Sequence, residues 1–171
     1  MTVALIVAAA ENDAIGYRGS VPWEVREDLA RFRQLTMGHA VIVGAATQRS
    51  IVERLGHSLR RRHTVVVSRQ LPPSEEPGVT VARTTEEALA EATAYAQQHD
   101  DRTVFVAGGA SIYEQFIQVT ELVYLTRLHM TVTADRFMPS NWLAGFGLVA
   151  EHHRQGSGGA EFSFLDYERA S

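Results

Sequence analysis

Short apolar, β-branched runs alternate with segments of helical period along the whole chain. The runs fall at residues 3–8, 40–43, 64–67, 79–82, 103–106 and 122–125. Several are apolar at consecutive positions, as expected for strands covered on both faces of a parallel sheet. Between them the spacing predicts helices over 25–36, 47–55, 85–98 and 111–119. Thr85 is the expected cap of the third helix, with Glu86 and Glu87 complementing the helix dipole in its first turn. The tail has a different pattern. Residues 147–153 and 161–168 bracket the glycine-rich stretch 155–159, which reads as a hairpin. The predicted fold class is α/β: a mostly parallel central sheet flanked by helices and closed by a C-terminal antiparallel hairpin. The proline-rich stretch 71–78 reads as a surface loop, so residues 1–171 are expected to form one domain.

Composition narrows the partners. Hydrophobic residues make up 45% and charged residues 21% of the 171 positions, an ordinary globular balance. The net charge of −4 argues against a nucleic-acid partner, yet leaves room for a local basic pocket. With Cys 0, disulfides, thiolate zinc sites, iron–sulfur clusters and cysteine nucleophiles are excluded, and a reducing cytoplasm is expected. The apolar start lacks a basic leader and meets Glu11, Asn12 and Asp13 at once. A membrane span needs about 20 apolar residues, so this segment reads as a strand and no membrane partner is expected. The His 7 are scattered without ligand spacing, so no metal is expected.

Three constellations could carry chemistry. After the first strand the chain spends roughly fifteen residues without regular pattern, a length common in lids and binding loops. This stretch holds Ile15, Gly16 and the Pro22–Trp23 pair. In the helix that follows, Val25, Leu29, Phe32 and Leu35 form an apolar face, with Asp28 on its flank. Asp28 is then either a first-turn acid serving the helix dipole or a semi-buried carboxylate awaiting a cationic or amidine-like ligand, and spacing alone does not separate the two. The second constellation is 104–113, where a strand ends at Gly108–Gly109 and a helix begins at once with Ala110, Ser111, Ile112 and Tyr113. The third, 41–47, repeats that plan around Gly44, Ala45 and Thr47. Such junctions let a phosphate approach backbone amides at a helix start. Two of them side by side at the strand C-terminal edge would suit one extended phosphate-bearing ligand. The run Arg60–Arg61–Arg62–His63, and Arg69 beyond the next strand, are local basic features that read as solvated surface for most members.

Together these pieces resemble dihydrofolate reductase. The carriers are Ile15–Gly16, Pro22–Trp23, Asp28–Leu29, Phe32, Thr36–Met37–Gly38, the 108–113 motif, Tyr124–Leu125–Thr126, the segment 135–139 and the ending 162–168. The resemblance spans essentially the whole chain. It implies reduction of 7,8-dihydrofolate by hydride transfer from NADPH, and it favours the ligand-binding reading of Asp28. It assigns Asp28, helped by Thr126, to the pterin 2-amino group and N3, with solvent as the source of the proton for N5. Ile6, Ala8, Leu29, Phe32 and Ile51 would line the pterin and benzoyl slot, and Arg62 would meet the glutamate α-carboxylate. Trp23 and Tyr113 would close the site, beneath a lid formed by 12–24. Cofactor contacts would come from Ala8, Ile15, Gly16, Gly44, Ala45, Thr47, Ser68, Arg69, Gly108, Gly109, Ala110, Ser111, Ile112 and Tyr113, with Arg69 at the 2′-phosphate. A cis peptide at Gly108–Gly109 and a monomer are also expected.

The departures from that family pattern cluster. Ala45 stands where a basic residue usually meets the cofactor phosphates, Ala46 follows it, and Gln48 replaces a bulky aromatic. Losing one charge-assisted contact costs about 1.5–3 kcal/mol. The segment 52–61 is longer than usual and lacks the Pro-Leu-Pro-Gly turn, which leaves Arg60 and Arg61 as rivals of Arg62. Two alternatives stay open on the sequence: a same-fold reductase of another pterin or a pyrimidine, and a paralogue that binds folate or nucleotide without turnover.

Overall fold

In the computed structural model, which describes residues 1–21 and 23–171, the chain opens with β1 (Thr2–Ala10), β2 (Ala14–Gly16), α1 (Arg26–Thr36), β3 (Ala40–Gly44) and α2 (Ala45–Leu55). It continues through β4 (His63–Val67), β5 (Val79–Ala82), α3 (Thr85–Gln98), β6 (Thr103–Val106) and α4 (Ala110–Phe116). It ends with β7 (Leu122–Leu128), β8 (Arg136–Phe137), β9 (Phe146–Gln155) and β10 (Glu161–Arg169). Pro22 of the Pro22–Trp23 pair lies outside the described residues.

The main sheet has the order β5-β4-β3-β6-β1-β7-β10-β9. Every pairing from β5 across to β7 is parallel, and β10 runs antiparallel to both β7 and β9. This is the expected parallel sheet with a C-terminal antiparallel hairpin.

The consecutive apolar run of β1 follows from its central place, because successive side chains face opposite layers. Leu5, Val7 and Ala9 pack with Ala88, Ala92 and Ala96 of α3 and with Ile112 and Phe116 of α4. Ala4 and Ile6 join Val41, Val43 and Phe105 on the other face, under Phe32 and Leu35 of α1 and Ile51 of α2. The three alanines of α3 are fully buried at a spacing of one helical turn, so that face of α3 packs closely on the sheet. Helices α1 and α2 therefore form one layer, α3 and α4 the other.

Several details differ from expectation. The α3 cap is Thr84, whose hydroxyl accepts from the Glu87 N–H at 3.0 Å, and Thr85 is already helical. Helix α2 starts at Ala45 rather than Thr47, with Gly44 in the cap position and no side-chain cap. Strand β7 runs on to Leu128, past the polar pair Thr126–Arg127. The loop after β1, expected to be irregular, contains β2, which pairs antiparallel with β8.

Candidate active site

Sheet register builds the first half of the site. Ala8, Thr126 and Phe164 lie side by side across β1, β7 and β10, and Ile6, Tyr124 and Asp166 form the neighbouring row. Helix α1 lies over both rows. Its Asp28 and Arg31 are one turn apart and so point to the same side. Asp28 Oδ1 accepts a 2.6 Å hydrogen bond from the Thr126 hydroxyl in the first row. Arg31 Nη2 donates to Asp166 Oδ1 at 2.7 Å in the second row, with its guanidinium 4.4 Å from the Phe164 ring centroid. Desolvation pushes the Asp28 carboxyl above its ordinary value, while the Thr126 hydrogen bond and the charges of Arg31 and Arg54 pull it back. The result is a partly open, largely desolvated carboxylate beside apolar walls.

The apolar residues expected around it fall in two clusters. Ile6, Phe32 and Ile51 pack in one cluster, and Ala8 and Trp23 pack onto Val25, Leu128 and Phe162. Leu29 is 43% exposed, although it lies on the same helix turn as Asp28. A cleft of about 670 Å³ runs between the loop after β1 and α2, lined by Gly19, Val21, Trp23, Ser50 and Arg54 among others. At the far end of α1, roughly 12 Å along its axis from Asp28, half-buried Arg62 donates from Nη1 to Thr36 Oγ1 at 3.3 Å and from Nε to the Arg60 carbonyl at 2.8 Å. Burial and the nearby Arg33 charge lower the Arg62 pKa. Arg60 and Arg61 are exposed, whereas Arg62 is half-buried.

The second half of the site is made of backbone. The Gly44 N–H donates to the Gly108 carbonyl at 2.8 Å, which sets the two glycine junctions side by side as the sequence suggested. A Cβ on Gly44 would come within 3.2 Å of Ile112 Cγ1, and one on Gly109 within 3.4 Å of Thr47 Oγ1. The Gly108–Gly109 peptide is cis. Neither α2 nor α4 has a side-chain cap, so the amides at both starts are left to other partners. That cradle fits an extended phosphate ligand held by amides, with Ala45 and Ala46 contributing backbone only. Tyr113 is buried and donates its hydroxyl to the Ile6 carbonyl at 2.7 Å; burial drives its pKa well above the tyrosine range. Tyr113 therefore ties α4 to β1 between the two halves. Ser68 and Arg69 follow β4, with Arg69 exposed, while Ala110 and Ser111 open α4 beside Gly109.

Several residues with clear positioning roles carried no assignment in the sequence. Asp135 Oδ2 accepts from the Arg18 N–H at 3.0 Å, and the Asp135 N–H donates to the Gly16 carbonyl at 3.0 Å, so the segment before β8 holds the loop carrying Ile15 and Gly16. At the root of that loop Asp13 Oδ1 accepts from Arg127 at 2.8 Å and from Trp142 Nε1 at 3.2 Å. Arg83 donates to the carbonyls of Ser68 and Leu71 and braces the turn that bears Arg69. Gln48 Nε2 donates to Ser58 Oγ at 2.8 Å, and Ser58 Oγ to Glu76 Oε2 at 3.0 Å. Gln48 thus anchors the long segment before Arg62, which links two departures from the family pattern. Only Arg31 had a readable signal, its one-turn spacing from Asp28. Asp135 and Asp13 act across more than a hundred positions and Arg83 through backbone carbonyls, while Gln48 and Ser58 meet within and beside a segment of unusual length. Among the described residues no cluster of His, Asp or Glu could hold a metal, and no helix is long and apolar enough to cross a membrane.

Comparison with known proteins agrees with this geometry. The family model described as dihydrofolate reductase matches residues 2–169. The dihydrofolate reductase HdrB of Haloferax volcanii is 37% identical over 166 residues, 96% of this chain and 82% of that protein. The dihydrofolate reductase of Haemophilus influenzae is 34% identical, covering 83% of this chain and 82% of its own length. Among solved structures, dihydrofolate reductase from Enterococcus faecalis, complexed with NADP(H) and RAB-propyl, superposes with a TM-score of 0.83 at 26% identity, over 99% of this chain and 97% of that one. The chain belongs to the dihydrofolate reductase family.

Proposed function

We propose that this protein reduces 7,8-dihydrofolate to 5,6,7,8-tetrahydrofolate with NADPH, in support of one-carbon and thymidylate metabolism. The observation that carries the reading is Asp28: a desolvated carboxylate on α1, hydrogen-bonded by Thr126, on the helix whose C-terminal Thr36 is met by Arg62. When bound, NADPH supplies the hydride, and N5 of the pterin must gain a proton as C6 is reduced. Asp28 presents two oxygens to the parallel donors of the pterin 2-amino group and N3, which orients the ring and complements the positive charge it acquires. In low dielectric a fixed negative charge stabilises that developing cation more strongly than water does. The proton itself comes from solvent.

Thr126 holds the carboxylate in place, and Arg31 keeps an ionised form accessible despite burial. Ile6, Ala8, Leu29, Phe32 and Ile51 receive the ring and benzoyl group, while Arg62 receives the α-carboxylate. Gly44, Ala45, Thr47, Gly108, Gly109, Ala110, Ser111 and Ile112 hold the cofactor phosphates through backbone amides, with Ala8, Ile15, Gly16 and Tyr113 near the nicotinamide. Ser68 and Arg69 select the 2′-phosphate. Trp23 and the loop above it exclude water during transfer. We take residues 1–171 as one working unit acting as a monomer. The zero cysteine count suits a cytoplasmic setting. The test is oxidation of NADPH on addition of dihydrofolate, with NADH in parallel. Turnover preferring NADPH is expected; a folded protein inactive with both overturns the reading.

A further inference from the structure

Helix α1 places a cation one turn from the carboxylate on which the reaction depends, yet the two do not close on each other. Residues three apart are neighbours on a helix surface, where opposite charges ordinarily pair. Among the described residues the carboxylate that Arg31 meets is instead Asp166, at 2.7 Å, while Asp28 accepts from the Thr126 hydroxyl at 2.6 Å. Sheet register explains the separation. Thr126 stands opposite Phe164 and Tyr124 opposite Asp166, so the two partners lie on successive rows of one face, about 7 Å apart along the strands. The guanidinium lies over two rings, 4.4 Å from the Phe164 centroid and 5.7 Å from that of Tyr124. This pose leaves Arg31 Nη1 buried without a protein partner among the described residues. Asp166 and the rings therefore set its direction, at the expense of the guanidinium's own hydrogen bonds.

The separation matters to the substrate. A desolvated carboxylate closed on a guanidinium one turn away is neutralised within the protein, and the pterin's donors would have to break that pair to bind. We propose that Asp166 is a positioning residue for the reductase reaction: it holds the Arg31 guanidinium on the Phe164 ring and so keeps the Asp28 carboxylate free for the pterin. This inference rests on the reductase reading of the site. The other charged and titratable groups around Asp28 are Arg54 of α2, itself 3.7 Å from Glu24, and Tyr113 of α4. Tyr124 of β7 faces Arg31 and Asp166, and Glu168 of β10 acts on that tyrosine as well. Of the two cations acting on Asp28, Arg31 is the one that a carboxylate of the sheet holds aside.

The experiment measures kcat and KM for dihydrofolate across the acid and neutral pH range in wild type, Asp166→Asn, Arg31→Met and the double variant. Asp166 is partly exposed, and the KM for NADPH reports that each variant is folded. In Asp166→Asn the charge that holds Arg31 is gone, so the guanidinium turns to Asp28 and KM for dihydrofolate rises about tenfold, with kcat changed less. A positive charge closer to Asp28 favours its ionised form, so the acid limb of the kcat/KM profile moves to lower pH. Both changes vanish when Asp166→Asn is made in the Arg31→Met background, where no guanidinium is left to move. A wild-type KM and acid limb in Asp166→Asn, or the same changes kept in the Arg31→Met background, overturns the inference while leaving the reductase reading standing. No turnover by the wild-type protein defeats both.

Discussion

The two halves of the proposed site are built from different materials. On the folate side, charged and polar side chains meet across a helix and a sheet: Asp28 with Thr126, Arg31 with Asp166, Arg62 with Thr36. On the cofactor side, two glycine junctions lean on one another through backbone hydrogen bonds, and Ala45 and Ala46 stand at the helix start. A buried carboxylate costs stability and shifts its own titration. A backbone cradle costs little, but it depends on the absence of side chains. The first half should therefore be broken by changing charge, the second by adding atoms.

The largest effect is expected at Asp28. Asp28→Asn keeps an oxygen for the Thr126 hydroxyl but removes the negative field, so turnover with dihydrofolate should fall by about a hundredfold or more, while NADPH binding, followed by fluorescence titration, should hardly change. Gly44→Ala should do the reverse. Its new methyl meets buried Ile112 at 3.2 Å, which should destabilise the fold by about 1–3 kcal/mol. The KM for NADPH should rise about tenfold, with that for dihydrofolate little altered. Ala45→Arg adds the side-chain cation that the cofactor half lacks, and NADPH should bind about tenfold tighter; titrations of the two proteins would check this. Thr126→Val is the mildest change. It removes a hydrogen bond that favours the Asp28 carboxylate, so the Asp28 pKa should rise further. The acid limb of the activity–pH profile should then move to higher pH, with a loss of only a few-fold at neutral pH.

The same contrast explains what the sequence could disclose. Strands β1, β3, β4, β5 and β6 were readable because their apolar runs lie in a sheet covered on both faces. Strand β7 read as ending at Leu125 because Thr126 and Arg127 break its apolar run, and both are polar for a reason: one holds Asp28, the other Asp13. The paired strands β2 and β8 have no local signal, being three and two residues long and held by contacts from distant segments. Helix α2 hid its start because its cap is Gly44 and its first residues are alanines, so Thr47 looked like the beginning. For α3, two adjacent threonines offered the same hydroxyl chemistry, and Thr84 rather than Thr85 has the extended conformation of a cap. In the site, Asp28 was ambiguous on spacing alone and was singled out, with Thr126, only by the family resemblance; the register of Ala8, Thr126 and Phe164 places that partner beneath it. Gln48 was visible only as a departure, since its partner Ser58 belongs to the segment whose length was itself unusual. Polar residues inside apolar patterns were thus the hardest to place and the most informative once placed.

The central claim is that activity at this site costs stability at one carboxylate. It is tested most directly by thermal unfolding of the wild-type protein and Asp28→Asn at pH 7 and at pH 4, measured beside turnover. In the folded state the Asp28 carboxyl titrates above its ordinary value of 3.8. Between that value and the raised one, the folded state keeps a proton that the unfolded chain has lost, so stability falls as pH rises through the window. The account predicts that at pH 7 Asp28→Asn melts higher than wild type while nearly inactive, and that the gap narrows toward pH 4. A variant that melts no higher than wild type at pH 7, or that turns over dihydrofolate at the wild-type rate, would contradict it.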